Sequence, residues 1–318
     1  MENTALKKIK EYLPSKIQKA LDKLSDDTQN KISEIRLRSG NVSTVTLWGE
    51  NLFICDTGIS KQKIRCIKVT KSEIDEFIYK LCDGSVYSYE NSIKQGYITR
   101  FGARTGICGT AVIKGTEICG FSEITGVNIR VPCHIPGCSE YILKKLPHSF
   151  FSTGKGLLVA SAPGIGKTTL LRDLAINLSK GINKDSINSS KVYRVSIIDE
   201  RNEIYIPSLF TDCCADVYSG ISKQNGFEFA IRCMSPEIII CDEIGSAKDA
   251  DAINLAHTGG ISVIASIHSS SLDDIFSKPS IKKLCDNGVF SYIYIMHRTS
   301  NNVSGELFVT EKSEVIQC

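Results

Sequence analysis

The segment at residues 161–169 limits the fold of this 318-residue chain more than any other. Its sequence, Ser-Ala-Pro-Gly-Ile-Gly-Lys-Thr-Thr, follows an apolar run at 157–160 and precedes a helical pattern at 168–178. A glycine-rich turn between a strand and a helix is the setting in which backbone N–H groups face a phosphate. This context predicts a P-loop on an α/β sheet.

Several positions of this loop have an expected chemical role. Gly164 and Gly166 let backbone N–H groups turn toward a phosphate, while Lys167 supplies a cation at the β- and γ-phosphates. The Thr168 hydroxyl is suited to ligate Mg²⁺. Ser161 replaces the usual first glycine, which tightens the entry but leaves the phosphate-facing half intact. We therefore assign ATP binding to the whole loop: Ser161, Ala162, Pro163, Gly164, Ile165, Gly166, Lys167, Thr168 and Thr169.

Two carboxylates, Asp242 and Glu243, follow the apolar run at 238–241. Either one alone would be an ordinary acidic turn after a strand. Beside a P-loop, the pair predicts a Walker B motif. Asp242 would orient the Mg²⁺ ion, and Glu243 would polarise a water for in-line attack on the γ-phosphate.

Polar side chains also follow two other predicted strands. Asp199 and Glu200 begin an acidic cluster after the run at 195–198, and His268 follows the run at 263–267. Since strand carboxyl ends form the ligand crevice of an α/β sheet, both are expected to face the same nucleotide. A lone histidine in such a place is more often a core or loop residue than a catalytic one.

The chain divides into two predicted domains, 1–135 and 136–318, at a cluster of prolines and glycine. The second has short apolar runs typical of strands buried on both faces: 157–160, 195–198, 238–241, 263–267 and 292–296. A polar loop is expected at 184–191. The first alternates strands with helices, one from Leu6 to Leu24 that Pro14 splits or kinks, and one at 71–81. The prediction is an α/β core with a mostly parallel sheet, preceded by a smaller α+β domain.

Composition argues against nucleic-acid-binding, metal-binding and membrane-spanning classes of protein. Lys plus Arg number 38 and Asp plus Glu 35, a net charge of +3 that is too small to favour nucleic acid. The 13 cysteines have no CxxC spacing and are expected to be reduced thiols without a metal. The amino terminus has no apolar export segment, and no run is long enough to span a membrane.

The order of these motifs resembles the secretion ATPase superfamily of type II and type IV secretion and pilus motors. A closer resemblance is to the stage III sporulation protein AA family. It is carried by residues 197–204, 230–238 and 241–245 of the second domain and by residues 34–38, 96–99 and 128–130 of the first.

The resemblance implies a RecA-like core, a hexameric ring, and ATP hydrolysis that energises a secretion-like channel between mother cell and forespore. It implies Glu243 as the catalytic glutamate, Asp199 and Glu200 as the acidic box, and His268 as the histidine box. It also implies a location in the cytoplasm, peripheral at the inner face of the membrane. We list Glu243, Glu200 and His268 as catalytic, and Thr168 and Asp242 as the Mg²⁺ residues.

Two alternatives stay open at this point. One is a RecA-class nucleic-acid translocase or processing ATPase, and the other is a nucleotide-gated scaffold that does not hydrolyse. The motifs of the second domain appear acidic apart from Lys167, so a further cation for the phosphates is expected from the first domain. The candidates are Arg36, Arg38, Arg100, Arg104 and Arg130.

Overall fold

The computed structural model describes residues 4–47, 49–132, 134–147, 150–181, 191–299, 303–311 and 314–317. The chain forms two compact units, Met1–Cys133 and His134–Cys318. The sequence places the boundary two residues later, between 135 and 136. Each unit has a hydrophobic core of its own.

The first unit begins with two helices separated at Pro14. This residue is the N-cap of the second helix, with φ of −53°. A proline fits there because its missing N–H is not needed by the helix. The predicted helix is therefore split in two, and its apolar positions are buried: Leu6, Ile9, Leu13, Ile17 and Leu21. The helices of this unit are α1 (Thr4–Lys10), α2 (Ser15–Leu21), α3 (Asp26–Asn30), α4 (Lys71–Leu81) and α5 (Glu90–Lys94).

A seven-stranded antiparallel sheet forms the rest of the first unit. Its strands are β1 (Ile32–Arg38), β2 (Thr44–Leu47), β3 (Glu50–Cys55), β4 (Gly58–Ser60), β5 (Tyr97–Arg100), β6 (Ala103–Lys114) and β7 (Glu117–Arg130). They lie in the order β4-β3-β2-β1-β7-β6-β5. The helix α4 has the predicted bounds and begins with a capping box between Thr70 and Glu73.

The strand register shows on which face of the first sheet each arginine lies. Glu34 lies opposite Arg130 across β1 and β7, and Arg104 lies opposite Arg130 across β6 and β7. Since alternate residues of a strand share a face, Arg36 and Arg38 lie on that face too. Arg100 lies on the other face, where it donates to the Leu81 carbonyl at 2.6 Å. That one of these arginines reaches a phosphate stays a prediction.

An eight-stranded sheet forms the second unit, in the order β10-β9-β11-β12-β8-β13-β14-β15. Its strands are β8 (Gly156–Ser161), β9 (Val195–Asp199), β10 (Ala215–Ser219), β11 (Ile238–Glu243), β12 (Ser262–His268), β13 (Phe290–Arg298), β14 (Val303–Glu311) and β15 (Glu314–Gln317). The pairs from β10 through to β13 are parallel, and the two at the far edge are antiparallel. The fold class predicted from the sequence, a mostly parallel α/β core after an α+β domain, is confirmed.

Helices pack on this second sheet. They are α6 (Glu140–Lys145), α7 (Lys167–Lys180), α8 (Lys223–Phe229), α9 (Ala247–Thr258), α10 (Leu272–Phe276) and α11 (Pro279–Asp286). Hydrophobic clusters form on both faces of the sheet, one including Leu157 and Val159 and the other Leu158 and Ala160. This explains why the central strands show no polar alternation in the sequence.

Some expectations concern residues that the structure covers only in part. The predicted polar loop at 184–191 lies outside the described residues except for Lys191. Cysteines within the described ranges are free thiols. The same ranges hold no group of three or more His, Cys, Asp or Glu side chains placed to hold a metal ion. None of the helices they form is both long and apolar enough to cross a membrane.

Candidate active site

The loop at 161–169 joins β8 to α7 as predicted, and two glycines give it its shape. Gly164 has φ of +76° and Gly166 has φ of +120°, values that residues with a Cβ rarely adopt. A Cβ at either position would meet no atom within 4 Å, so open space lies over the loop. The helix α7 begins without a side-chain cap. A loop of this kind, open above and leading into an uncapped helix, fits a phosphate.

Lys167 is held inside this loop. Its Nζ donates to the Ser161 carbonyl at 2.9 Å and lies 2.8 Å from Nδ1 of His268. Burial lowers the pKa of Lys167 to about 8, although the Glu243 carboxylate opposes the shift. Ser161 therefore contributes a backbone acceptor at the position where a first glycine was expected.

His268 also contacts Glu243. Its Nε2 lies 3.1 Å from Oε2 of Glu243, and Arg201 Nη1 donates to the same oxygen at 3.2 Å. Because an ammonium can only donate, Nδ1 of His268 accepts from Lys167 and Nε2 carries the proton. The structure thus brings three sequence-predicted residues, Lys167, His268 and Glu243, into one row of polar contacts.

Asp242 lies beside this row, at a β-bulge near the end of β11. Its side chain is 8% exposed, and Nζ of Lys223 lies 2.8 Å from its Oδ1 as an ion pair. Among the described residues, this ion pair is the contact that compensates the burial of the carboxylate, and Oδ2 accepts no hydrogen bond from them. Burial raises the pKa of Asp242 to about 6, although Lys223 opposes the shift.

Glu200 and Asp199 separate in space although they are neighbours in sequence. Glu200 Oε2 lies 2.6 Å from Lys223 Nζ, which links it to the Asp242 side of the site. Asp199 is buried and accepts backbone N–H bonds at 2.8 to 3.0 Å from Glu203, Ile204 and Tyr205. Burial raises the pKa of Asp199, and these bonds oppose the rise. Asp199 therefore holds the following loop in place.

Arg172 of α7 binds the same loop from its other side. The side chain is 1% exposed. Its Nε donates to the Ile204 carbonyl at 2.8 Å, and Nη2 donates to the Glu203 carbonyl. The helix that follows the phosphate loop is thus tied to the loop that carries Glu200.

The sequence argument overlooked two cations in the second unit. It counted Lys167 alone, whereas Lys223 and Arg201 also contact the acidic residues. The premise that Lys167 is the one cation near the acidic motifs was wrong. Arg201 stands within the acidic cluster and could have been noticed there. Lys223 could not, because only the packing of α8 brings it to the strand ends.

Comparison with known proteins places this chain in a family. The family model described as "Sporulation stage III, protein AA" matches residues 3–313. The chain belongs to this sporulation family. It is 31% identical over 291 residues to the stage III sporulation protein AA of Bacillus subtilis (strain 168), covering 90% of this chain and 89% of that protein.

Solved structures share the fold of this family member. The ATPase DotB of Yersinia pseudotuberculosis has a TM-score of 0.58 at 13% identity, covering 92% of this chain and 79% of that one. The pilus retraction motor PilT, solved with bound ADP, has a TM-score of 0.55 at 15% identity, covering 88% and 80%. The fold is therefore that of the secretion ATPases, with a RecA-like core in the second unit.

Proposed function

We propose that this protein binds ATP with Mg²⁺ at residues 161–169 and hydrolyses it. The observation that carries the proposal is the row formed by Lys167, His268 and Glu243. Lys167 begins α7, directly after the loop that follows β8, while Glu243 and His268 are the last residues of β11 and β12. The three strands are parallel neighbours whose carboxyl ends meet at one edge of the sheet. The row places a cation suited to stabilise phosphate charge close to a carboxylate suited to accept a proton from water. Hydrolysis of ATP uses both functions.

The residues present fit the proposed cofactor. A buried carboxylate needs compensating partners. Asp242 has the Lys223 ion pair on Oδ1, and its oxygens keep capacity for a further partner such as a metal ion. We assign Mg²⁺ to Asp242 and Thr168, the latter half-buried at the start of α7. When bound, the ion would neutralise phosphate charge and orient the nucleotide.

Glu243 is assigned as the general base. His268 and Arg201 both contact its Oε2. Its Oε1 makes no hydrogen bond to a described residue, so Oε1 is the atom to take a proton from the attacking water. His268, through its Nε2 proton, keeps this carboxylate facing the site. Lys167 binds the phosphates, and the P-loop amides hold them in position.

We infer that in the cell this protein is an ATP-driven motor. Membership of the sporulation family and the fold of DotB and PilT support ATP-driven work on a secretion-like channel between mother cell and forespore. We propose a hexameric ring, cytoplasmic and peripheral at the inner face of the membrane. Measuring the mass in solution with and without Mg-ATP tests the ring, and a mass that stays monomeric in both conditions contradicts it.

Binding is tested with Lys167→Ala. The change removes the loop cation and should weaken ATP binding by about 1.5 to 3 kcal/mol. Thermal stabilisation by Mg-ATP should therefore vanish. The control is Lys191→Ala, which removes a lysine of the same unit that pairs with Glu237. Equal stabilisation of both variants would contradict the assignment of the loop.

The nucleic-acid translocase and the non-hydrolysing scaffold are the other candidate functions. We found no observation that favours either of them. ATP hydrolysis measured with and without DNA separates them from the motor. The translocase requires stimulation by DNA, and the scaffold requires no hydrolysis in either condition.

A further inference from the structure

Lys223 holds a buried ammonium between carboxylates from two strand ends. Its side chain is 4% exposed, and its Nζ lies 2.6 Å from Glu200 Oε2 and 2.8 Å from Asp242 Oδ1. Glu200 follows β9, and Asp242 lies near the end of β11. Lys223 thus joins the acidic cluster to the Walker B aspartate.

Such a position is costly for a lysine. Burying an ammonium removes its hydration, and only paired charges offset that loss. Buried ion pairs of this kind add little net stability compared with apolar residues of similar size. The pairing therefore indicates a role in the site more than a role in folding.

The packing of α8 fixes where this lysine points. Gly226 lies one helical turn after Lys223, and a Cβ at Gly226 would come within 2.5 Å of Cγ2 of Ile198. The helix can therefore lie this close to β9 only with glycine at 226. Lys223 and Gly226 share a helix face, since residues three apart are neighbours on an α-helix. The close approach brings Lys223 to the end of β9.

We propose that Lys223 is a positioning residue of the Mg-ATP site, which holds the Asp242 and Glu200 carboxylates in one fixed arrangement. The proposal rests on the proposed ATPase function. Lys223 acts through the two carboxylates and not on the nucleotide. Its removal releases Asp242, the residue assigned to Mg²⁺, and uncouples it from Glu200.

The first test measures binding of a fluorescent ATP analogue as Mg²⁺ is increased. Lys223→Met should raise the half-saturating Mg²⁺ concentration by about 10- to 100-fold, the usual effect of losing a residue that orients a metal ligand. Lys223→Arg should recover part of the loss because it keeps the charge. Lys191→Met should match the wild type. Affinity for the analogue without Mg²⁺ should stay unchanged in Lys191→Met.

A second test needs neither nucleotide nor metal. Lys223→Met and Asp242→Asn should each lower the urea midpoint of unfolding. The first leaves Asp242 buried without its cation, and the second leaves Lys223 with Glu200 as its remaining ion-pair partner among the described residues. The double variant should be no less stable than the worse single one, because the pair acts as a unit. Additive losses would show that the two side chains are not coupled. Should Lys223→Met fail to fold, Glu200→Gln tests the bridge from its exposed end and should raise the half-saturating Mg²⁺ concentration less.

Two results would overturn this inference. An unchanged Mg²⁺ dependence in Lys223→Met would remove the positioning role. A lower half-saturating concentration would show that Lys223 competes with the metal. Failure of the proposed function looks different: the wild type itself would then bind no analogue at any Mg²⁺ concentration.

Discussion

His268 Nε2 lies 3.1 Å from Glu243 Oε2, and this contact ties the end of β12 to the end of β11. The other ring nitrogen of His268 lies 2.8 Å from the Lys167 ammonium. The imidazole therefore lies between Lys167, which we propose to bind phosphate, and the proposed base. A substitution at Lys167 or at Glu243 can therefore affect the other residue through the neutral imidazole of His268.

His268→Ala should lower turnover and leave ATP binding measurable. The change removes one hydrogen bond to a charged carboxylate, worth about 1.5 to 3 kcal/mol, or roughly 10- to 100-fold in rate. Steady-state hydrolysis and analogue binding check it together. The control is His257→Ala, which removes a histidine whose Nδ1 contacts the Gly154 carbonyl instead. Equal turnover in the two variants would contradict the row.

Arg172→Met should destabilise the second unit. The change leaves the carbonyls of Glu203 and Ile204 buried without this donor, a loss of about 3 kcal/mol or more in unfolding free energy. Denaturant unfolding measures it. The exposed Arg232→Met, which breaks a surface pair with Glu228, is the control and should cost less than about 1 kcal/mol. A similar small loss in both would show that the clamp is not structural.

Gly166→Ala should strain the phosphate loop. Because the space around its Cβ is open, the whole penalty comes from φ of +120°, about 1 to 3 kcal/mol. Stabilisation by Mg-ATP should fall at the same time. Gly245→Ala is the matched control, since its Cβ also meets nothing but its φ is not positive. Equal unfolding free energies would argue against the left-handed turn.

The capping box of α4 gives a pH-dependent prediction for the first unit. Burial raises the pKa of Glu73, but Lys16 and the Thr70 N–H and hydroxyl outweigh it, so the net pKa lies below the usual 4.5. The charged form is therefore favoured in the fold. This stability is present above pH 4.5 and is lost as pH falls through the folded-state pKa.

Glu73→Gln should consequently destabilise the protein at neutral pH, with the difference shrinking in acid. Thr70→Ala should cost about 1 kcal/mol. Urea unfolding at several pH values measures both. Glu76→Gln, on the same helix with an exposed Lys80 partner, should change stability by less than about 0.5 kcal/mol. A Glu73→Gln loss that is independent of pH would contradict the role of the charge.

Much of the fold could be predicted from local patterns. Apolar runs without polar alternation predicted the central strands of the second sheet. The bounds of α4 follow from the helical spacing of its apolar residues and from its capping box. Strands β10, β14 and β15 were not predicted. β10 and β15 are the two edges of the sheet, β14 lies next to β15, and none of the three is an uninterrupted apolar run. The short helix α3 also gave no usable pattern.

The site was predictable where chemistry is encoded in short motifs. Asp242 and Glu243 lie at the end of β11 and His268 at the end of β12, as expected, and Lys167 begins the helix after the loop. His268 contacts Lys167 and Glu243. The role of Lys223 depends on the approach of α8 to β9, a tertiary contact that no local pattern carries. The separation of Asp199 from Glu200 was equally hidden, since it depends on backbone N–H groups four to six residues after Asp199.

The release of inorganic phosphate from Mg-ATP by the full chain tests the central claim most directly. The wild type should release phosphate continuously. Glu243→Gln should bind ATP as well as the wild type while its turnover falls by about 10² to 10⁴, the usual contribution of a general base. No phosphate release by the wild type, or an unchanged rate in Glu243→Gln, would contradict the account.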